Sequence, residues 1–512
     1  MTPMRNSPAH RFTLRDVFAG LSVAVILIPQ SMAQAEVAGM PNQYGLYTGA
    51  LPLIVAALFA SSPYLQTGPV STTSLLTLGA LVPLAATGSA EYVKMAALLA
   101  LVVGLARLGV GLLKAGWVSY LMSRPMLTGF MSGAAILIVG VQLPAALGSP
   151  APPGGIVQRA LWALGHPASW EVPAVALSVL TVVVVTIGRK IHPLVPGVLI
   201  AAVGGTIYSA LAGYGGPTVG TVPAGFPPFS LDLPWSRMPS LVLPGIVIAL
   251  VGFSEAASIS RVFASEDRER WDADREFLSQ GAANIASAVS GGFPVGGSFA
   301  RSSVARLAGA SSRWTGFVAG LTVLLFVPFA RILGPLPKAV LAGIIISAIW
   351  KIFKPHELLR LWRLSRPQAL VGWATFVLTL LLSPHVDHAV LLGILMAGAV
   401  HLLREIRLEV TQRREGDTLH LHPEGVLWFG SAPALEDEIL ARISKEPNVS
   451  RVVIHCSGLG RIDLTGAWTL SEMLADVRSA GLEVSLTYVP DHARHVMRAV
   501  GGIPEEKPEK ES

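Results

Sequence analysis

An α-helical polytopic membrane protein that ends in a small α/β module is the architecture the amino-acid sequence predicts. Only 14% of its 512 residues are charged and 52% are hydrophobic, whereas an average soluble chain carries roughly 25% charged residues. Mean hydropathy is +0.57. Several apolar runs approach the ~20 residues that cross a bilayer as a helix. Met95–Leu113 carries Arg107 alone, Pro173–Ile187 carries no charge, and Val371–Leu382 is a third such run.

The first strong run, Val17–Ile28, leads through Pro29 and Gln30 into more apolar sequence without a small-residue cleavage site. It therefore reads as a span rather than a removable signal. From there to Leu403 the apolar runs divide into about fourteen spans, some too short to cross alone. The predicted organisation is a cytoplasmic N-terminus 1–15, a first membrane half 16–213, an outer loop 214–239, a second half 240–403, a cytoplasmic module 404–503 and a disordered tail 504–512. The tail has almost nothing apolar to bury. In the module, strand-like Arg451–Cys456, helix-like Thr465–Ala480 and strand-like Glu483–Tyr488 alternate as in a small α/β domain.

The pI of 9.5 does not point to nucleic acid, because the basic residues sit in short loops between apolar runs. Arg5, Arg11 and Arg15 precede the first span. Arg189 and Lys190, then Arg261, Arg268, Arg270 and Arg275, then Lys351, Lys354, Arg360, Arg363 and Arg366 each follow an even number of spans. All fall on one side, which the positive-inside rule makes cytoplasmic, with both termini, in a cell inner membrane. The loops Gly148–Trp170 and Tyr214–Pro239 hold only Arg159 and Arg237 and read as the outer side. Cys456, the single cysteine, excludes an intramolecular disulfide framework. No His/Cys spacing resembles a metal site, and His385, Asp387 and His388 read as a solvated outer connection. No nucleophile–base set or cofactor loop stands out, so neither an enzyme nor a cofactor is expected.

The most informative pattern is internal. Gln66-Thr67-Gly68-Pro69-Val70-Ser71-Thr72-Thr73-Ser74 has a counterpart in Gly291-Gly292-Phe293-Pro294-Val295-Gly296-Gly297-Ser298-Phe299. Superposing Pro69 on Pro294 gives an offset of 225 (294 − 69), and the intramembrane carboxylates Glu36 and Glu255 are 219 apart (255 − 36). Halves with an odd number of spans, seven each, have opposite topology. Inverted repeats with Gly/Pro-interrupted helices in matching places are the mark of a secondary transporter.

Extended backbone in hydrocarbon leaves amides unpaired unless it lines a cavity. Gly68-Pro69 and Gly292-Phe293-Pro294 are predicted to be extended, with short helices opening near Ser71 and near Gly297-Ser298. Their N-termini would aim free N–H groups and positive dipole ends at the bilayer centre, an anion site without a dedicated cation. Arg301, one turn into the second helix, adds positive potential or snorkels to the inner surface. Pro29 is expected to break the first span. Gln30 and Gln34, an i, i+4 pair, share one face and offer amides to an oxyanion or to a packed neighbour. Glu36 and Glu255 could each take up a proton that offsets a co-moving anion, ligate sodium, or form a structural ion pair.

These motifs resemble those of the sulfate permease-like (SulP) anion transporters. Pro29-Gln30-Ser31-Met32-Ala33, followed by Gly45-Leu46-Tyr47, resembles the family's first-span signature. Gly68–Leu75 resembles its third-span entry, and Gly297–Ser302 its tenth-span entry, with Ala300 in place of a common serine. The resemblance implies two inverted seven-span repeats arranged as core and gate domains, a homodimer and an elevator-like movement of the core. It implies that substrate binds between the third and tenth spans, at Gln30, Gln34, Val70, Ser71, Thr72, Ser298, Phe299, Ala300 and Arg301. Val70 stands where many relatives place phenylalanine. Ser457–Gly466 resembles the Asp-Ser-Ser-Gly turn of STAS (sulfate transporter and anti-sigma antagonist) domains, here with Leu464-Thr465 as the doublet and Thr465 expected to cap the next helix. Such a domain implies cytoplasmic protein partners.

The function expected is secondary active transport of a small anion (sulfate, bicarbonate or a dicarboxylate), coupled to protons more readily than to sodium. A nucleobase transporter of the same fold, and an uncoupled anion channel or sensor, are the alternatives.

Overall fold

A computed structural model describes residues 12–223, 225–227, 229–350 and 352–500; Arg5, Arg11, Lys351 and the charged tail lie outside them. The chain divides into two compact units, Met1–Leu395 and Met396–Ser512, with the division inside the last apolar helix.

The first unit is helical. Its first half holds α1 (Leu14–Val37), α2 (Asn42–Phe59), α3 (Ser71–Leu81), α4 (Ala90–Leu112), α5 (Arg124–Leu147), α6 (Ile156–Gly165), α7 (Val172–Ile191) and α8 (Gly197–Ala212). Its second half holds α9 (Met238–Asp267), α10 (Ala273–Val289), α11 (Phe299–Leu307), α12 (Trp314–Phe326), α13 (Lys338–Ile349), α14 (Pro355–Leu364), α15 (Arg366–Leu381) and α16 (Val386–Glu405). Two-residue strands β1 (Thr67–Gly68) and β2 (Gly296–Gly297) precede α3 and α11. Seven described helical segments are long and apolar enough to cross a bilayer unaided. Setting aside the ten-residue α6 and α14, each the sixth helix of its half, leaves seven helices on either side of the 214–237 loop, consistent with fourteen spans.

Local sequence sets the helix ends. Thr13 and Asp16 form a reciprocal capping box on α1. Ser89, Ser123 and Asp272 cap α4, α5 and α10 through their side chains. Gly148 ends α5 in the left-handed region at φ 65°. Small residues then let helices touch. A Cβ on Gly129 of α5 would lie 2.0 Å from the Gly372 carbonyl oxygen of α15, and one on Gly45 of α2 would lie 2.1 Å from the Ser31 carbonyl oxygen of α1. Without a hydrophobic drive between helices in lipid, such close approach supplies much of the association.

Two expectations about the membrane helices are corrected. Pro29 does not break α1, which runs unbroken from Leu14 to Val37; the ring costs one backbone bond, which long flanking turns and packed neighbours tolerate. The Gly148–Trp170 segment is not all loop, since it contains α6.

The packing pairs recur with the halves exchanged. α4 packs on α10 as α12 packs on α2, α4 on α9 as α12 on α1, and α5 on α15 as α13 on α7. Helices α1–α4 with α9–α12 thus form one bundle, and α5–α8 with α13–α15 another, meeting chiefly through α1 and α3.

The second unit has a sheet of order β3 (Glu409–Glu415), β4 (Thr418–Leu427), β5 (Arg451–His455), β7 (Glu483–Thr487), with β6 (Leu459–Ile462) also on β4. β3 is antiparallel to β4 and the other pairings are parallel. Leu419, Leu421, Val452, Ile454, Val484 and Leu486 face the core with α17 (Ala432–Ser444), α18 (Leu464–Ser479) and α19 (Asp491–Ala499). Burial in that core pushes the Cys456 thiol up to about 12. Asp463, not Thr465, caps α18 by accepting from the Gly466 amide at 2.7 Å.

Strand alternation puts His420, His422 and His455 on the opposite sheet face. His420 Nδ1 lies 3.0 Å from His455 Nε2, Thr487 Oγ1 lies 2.8 Å from His455 Nδ1, and the His422 and His455 rings stack at 4.2 Å. Burial, with the charges of His422 and His420 added, holds the His455 imidazole below its ordinary value of 6.5. The folded module therefore resists protonation that the unfolded chain accepts. Its stability is complete above an ordinary imidazole pKa of about 6.5 and falls as pH drops from there through the lowered folded value. Hydrogen exchange on the full-length protein should show β4 and β5 amides losing protection below pH ~6.5 after correction for intrinsic rates. His455→Gln should flatten that dependence, and protection that is level down to pH ~5 would contradict it.

Candidate functional site

The two strands before the short helices pair with each other. Thr67 faces Gly297 and Gly68 faces Gly296 in antiparallel register. The ladder is extended by Ser298 N–H donating to the Gln66 carbonyl at 3.0 Å, and by Gln66 N–H donating to Ser302 Oγ at 2.9 Å. Extended backbone inside the bundle is thereby satisfied. Because the strands run antiparallel, α3 and α11 begin at one crossing point with their positive ends facing it. The helix starts, Ser71 and Phe299, set the offset at this crossing at 228 (299 − 71), so Val70 and Ser298 are the matching N-caps. Pro69 and Pro294, the pair that gave 225, are not equivalent.

α1 supplies one amide to each broken helix. Gln30 Oε1 accepts from Arg301 Nη1 at 3.4 Å, and Gln34 Nε2 donates to Ser71 Oγ at 2.8 Å. Arg301 is 1% exposed, so it does not snorkel. Its Nη1 also donates to the Pro69 carbonyl at 3.0 Å, while Nε and Nη2 have no hydrogen-bond acceptor. A Cβ at residue 68 would stand 3.2 Å from Arg301 Nη2, so Gly68 makes room for the guanidinium. Ser298 caps α11 by accepting from the Arg301 amide at 3.4 Å. Val70 and Thr72 are buried beside Ser71 at the start of α3. Glu255 of α9 faces Thr72 and lies in the field of Arg301, and its Oε2 has no hydrogen-bond partner.

Glu255 and Glu36 are not counterparts. By contacts, Glu255 on α9 reaches α3 as Gln30 on α1 reaches α11. Glu36, near the end of α1, instead pairs with Lys338 of α13 at 3.4 Å. The structure thus brings together Gln30, Gln34, Val70, Ser71, Thr72, Ser298, Arg301 and Glu255, and leaves Glu36 outside that group.

Two cavities lie at opposite ends of this arrangement. One of about 230 Å³ is lined by Gln30, Phe299 and Ala300 together with Arg189, Val195 and Val198. Another of about 620 Å³ is lined by Glu36, Asn42, Gln142, Arg159, Lys338 and Pro384. Both sit where α1 meets the second bundle. Phe299 is half exposed and turns to the smaller cavity.

Sequence reasoning missed the residues that hold the crossing. Gln280 Nε2 donates to Thr67 Oγ1 at 2.6 Å, and Asn284 Oδ1 accepts from the Val295 amide at 3.0 Å. They are an i, i+4 amide pair on α10, the same spacing as Gln30 and Gln34 on α1. Arg107 is fully buried and donates to the carbonyls of Val295 at 2.8 Å, Ala249 at 3.1 Å and Ile248 at 3.3 Å. A charge in an otherwise apolar run was its visible signal.

A helical bundle with two interrupted helices meeting at a polar, positively charged crossing defines a polytopic membrane transporter. Residues 14–375 match the Sulfate permease family, and the chain belongs to it. Residues 410–502 match a domain described as Mlab, STAS domain. Over 96% of its length the chain is 28% identical to a probable sulfate transporter of Mycobacterium tuberculosis, covering 91% of that protein. Over 92% of its length it is 28% identical to a sodium-independent sulfate anion transporter of Bos taurus, covering 83% of that one. Among solved structures it superposes on the murine Solute Carrier 26 family member A9 anion transporter in the inward-facing state, with TM-score 0.89 at 19% identity, covering 96% of this chain and 88% of that one. It also superposes on the transmembrane domain of a cyanobacterial bicarbonate transporter, BicA, with TM-score 0.66 at 28% identity, covering 74% and 97%. Family members are transporters rather than enzymes.

The two buried arginines differ in what they hold. Every Arg107 bond ends on a backbone carbonyl, and a buried acceptor left bare costs about 1–3 kcal/mol. Arg107→Met should therefore lower the melting temperature in detergent well below that of Arg301→Gln. Equal midpoints for the two variants would refute the distinction.

Proposed function

We propose that the chain carries small oxyanions or carboxylates across the membrane by alternating access, binding them between the N-termini of α3 and α11. The observation that carries this reading is Arg301. Its Nε and Nη2 are buried without an acceptor, at the point where two sets of helix N-terminal amides converge. An anion there completes the guanidinium's bonds and meets both dipole ends. Ser71, Thr72 and Ser298 add hydroxyl groups. The two cavities at opposite ends, between the two bundles, are what an elevator-like shift of the α1–α4/α9–α12 bundle would open in turn. Sulfate, bicarbonate and dicarboxylates all fit such donors. Relatives named for sulfate and for bicarbonate keep both substrates in view.

Glu255 is the coupling group in this reading. It sits within the site, so a proton on its carboxylate offsets the charge of the arriving anion. A relative named as sodium-independent supports protons over sodium. Glu36, tied to Lys338, serves the larger cavity instead. The lysine and arginine distribution supports an inner-membrane protein with both termini cytoplasmic. The family resemblance supports a homodimer, and the STAS domain supports cytoplasmic partners.

Uptake of radiolabelled sulfate, bicarbonate and dicarboxylates into proteoliposomes, with pH and sodium gradients set separately, tests the whole reading. A bond from a charged donor is worth about 1.5–3 kcal/mol, so Arg301→Gln should weaken substrate affinity by roughly 10- to 100-fold. Wild-type affinity in that variant would remove Arg301 from the site. Glu255→Gln should retain exchange of internal for external substrate while losing uptake driven by a pH gradient. Uptake driven by sodium and indifferent to pH would take the proton out of the mechanism.

A further inference from the structure

The connection between α15 and α16 is not the solvated loop the sequence suggests. His385 and His388 are exposed, but Asp387 in the first turn of α16 is 4% exposed. One ligand atom from each of the three lies within 4.8 Å of the others. Asp387 Oδ1 accepts no hydrogen bond and stands 3.4 Å from His388 Nδ1. The two imidazole rings are nearly perpendicular, at 88°, with centroids 5.4 Å apart.

We propose that His385, Asp387 and His388 form a three-ligand site for a divalent ion of the zinc class, and that its occupancy slows transport. The donor set is two imidazoles and one carboxylate, which suits Zn²⁺ and leaves a fourth position for water. Tetrahedral bonds of ~2.0–2.1 Å place donors roughly 3.4 Å apart. The two exposed rings can turn about their side-chain torsions to close that gap, while the buried carboxylate stays fixed. A carboxylate at a helix N-terminus is ordinarily explained by the helix dipole. Here it also aims an oxygen without a hydrogen bond at the two imidazoles, which the dipole does not require. Hard ions such as Mg²⁺ prefer all-oxygen shells and gain little from imidazole.

The site has a route to the transport machinery. Pro384 lines the larger cavity. A Cβ on Gly79 of α3 would lie 2.4 Å from the Pro384 carbonyl and 2.7 Å from Val386 Cγ2. The ligand-bearing turn therefore leans on the helix whose other end faces Arg301. An ion that stiffens the turn holds α3 against the second bundle. Binding stands apart from the proposed anion site, whereas the slowing rests on it.

Full-length protein in nanodiscs, titrated with Zn²⁺ against a competing chelator dye, tests the binding. His385→Ala/His388→Ala should weaken one Zn²⁺ site by more than ~10-fold, since even outer-sphere partners of metal ligands are worth about 10- to 100-fold. Asp387→Asn should do the same as a second, isosteric variant. The triple variant His420→Ala/His422→Ala/His455→Ala, which strips the other histidine cluster, should leave the site intact, and so should transport-impaired Arg301→Gln. Unchanged Zn²⁺ binding in the double variant, loss of the site only in the triple variant, or equal binding of Mg²⁺ would each overturn the site. In proteoliposomes, Zn²⁺ on the side of the larger cavity should slow wild-type uptake and spare the double variant. Binding without slowing would overturn the link to transport while leaving the site.

Discussion

Backbone that leaves a helix inside hydrocarbon must find partners within the protein, and everything near the site follows from how this chain meets that demand. The two interruptions solve it mutually. Thr67–Gly68 and Gly296–Gly297 give each other the bonds that neither helix can supply. The ladder is only two residues long, so it is braced from behind by Gln280, Asn284 and Arg107. An antiparallel ladder also dictates polarity. Two helices leaving it in opposite directions both present N-termini to the same point. A site with positive potential and unpaired amides is thus a consequence of the pairing, not an addition to it.

The charges divide along the same line. Arg107 spends its donors on carbonyls of α9 and on Val295, and so fixes backbone. Arg301 spends one nitrogen on Gln30 and Pro69 and holds two in reserve. An arginine at bilayer depth costs from ~2.5 to well over 10 kcal/mol, so an incompletely bonded one is a standing strain, which the proposed anion would relieve. Burial alone would not have separated the two roles, because both side chains are equally inaccessible. The acceptors separate them.

Much of this was legible in the sequence. The Gly-Pro-Val-Ser and Gly-Gly-Ser segments announced the helix starts; Arg301 was singled out by its place one turn into the second short helix, and Gln30 by its place after Pro29 in the first span. What was not legible is register. Proline marks where a helix cannot continue, not where the next begins, so aligning Pro69 with Pro294 misjudged the register at the crossing by three residues (228 − 225). The same limit misled over Pro29, which a long helix absorbed. Glu36 and Glu255 looked paired because spacing along a chain cannot say which face of a span a side chain occupies. Lys338, more than three hundred positions from Glu36 (338 − 36 = 302), decided that question through tertiary packing. Gln280 and Asn284 escaped notice because only the fold brings their partners, the Thr67 hydroxyl and the Val295 amide, to α10.

The repeat is most telling where it is broken. By contact, Gln30 answers to Glu255: each reaches from the first helix of its half to the short helix of the other. One place carries a neutral amide and the other an acid. With an amide in both places, Arg301 alone would set the charge of the proposed site. In the proposed mechanism an ionised Glu255 opposes the charge of an incoming anion. In that mechanism a protonated Glu255 no longer offsets the field of Arg301, and the anion meets the full positive potential. The affinity of the proposed site is then tied to the protonation of one carboxylate, which couples substrate movement to a proton. The asymmetry between two otherwise corresponding positions is therefore the feature that couples anion affinity to a proton in the proposed mechanism.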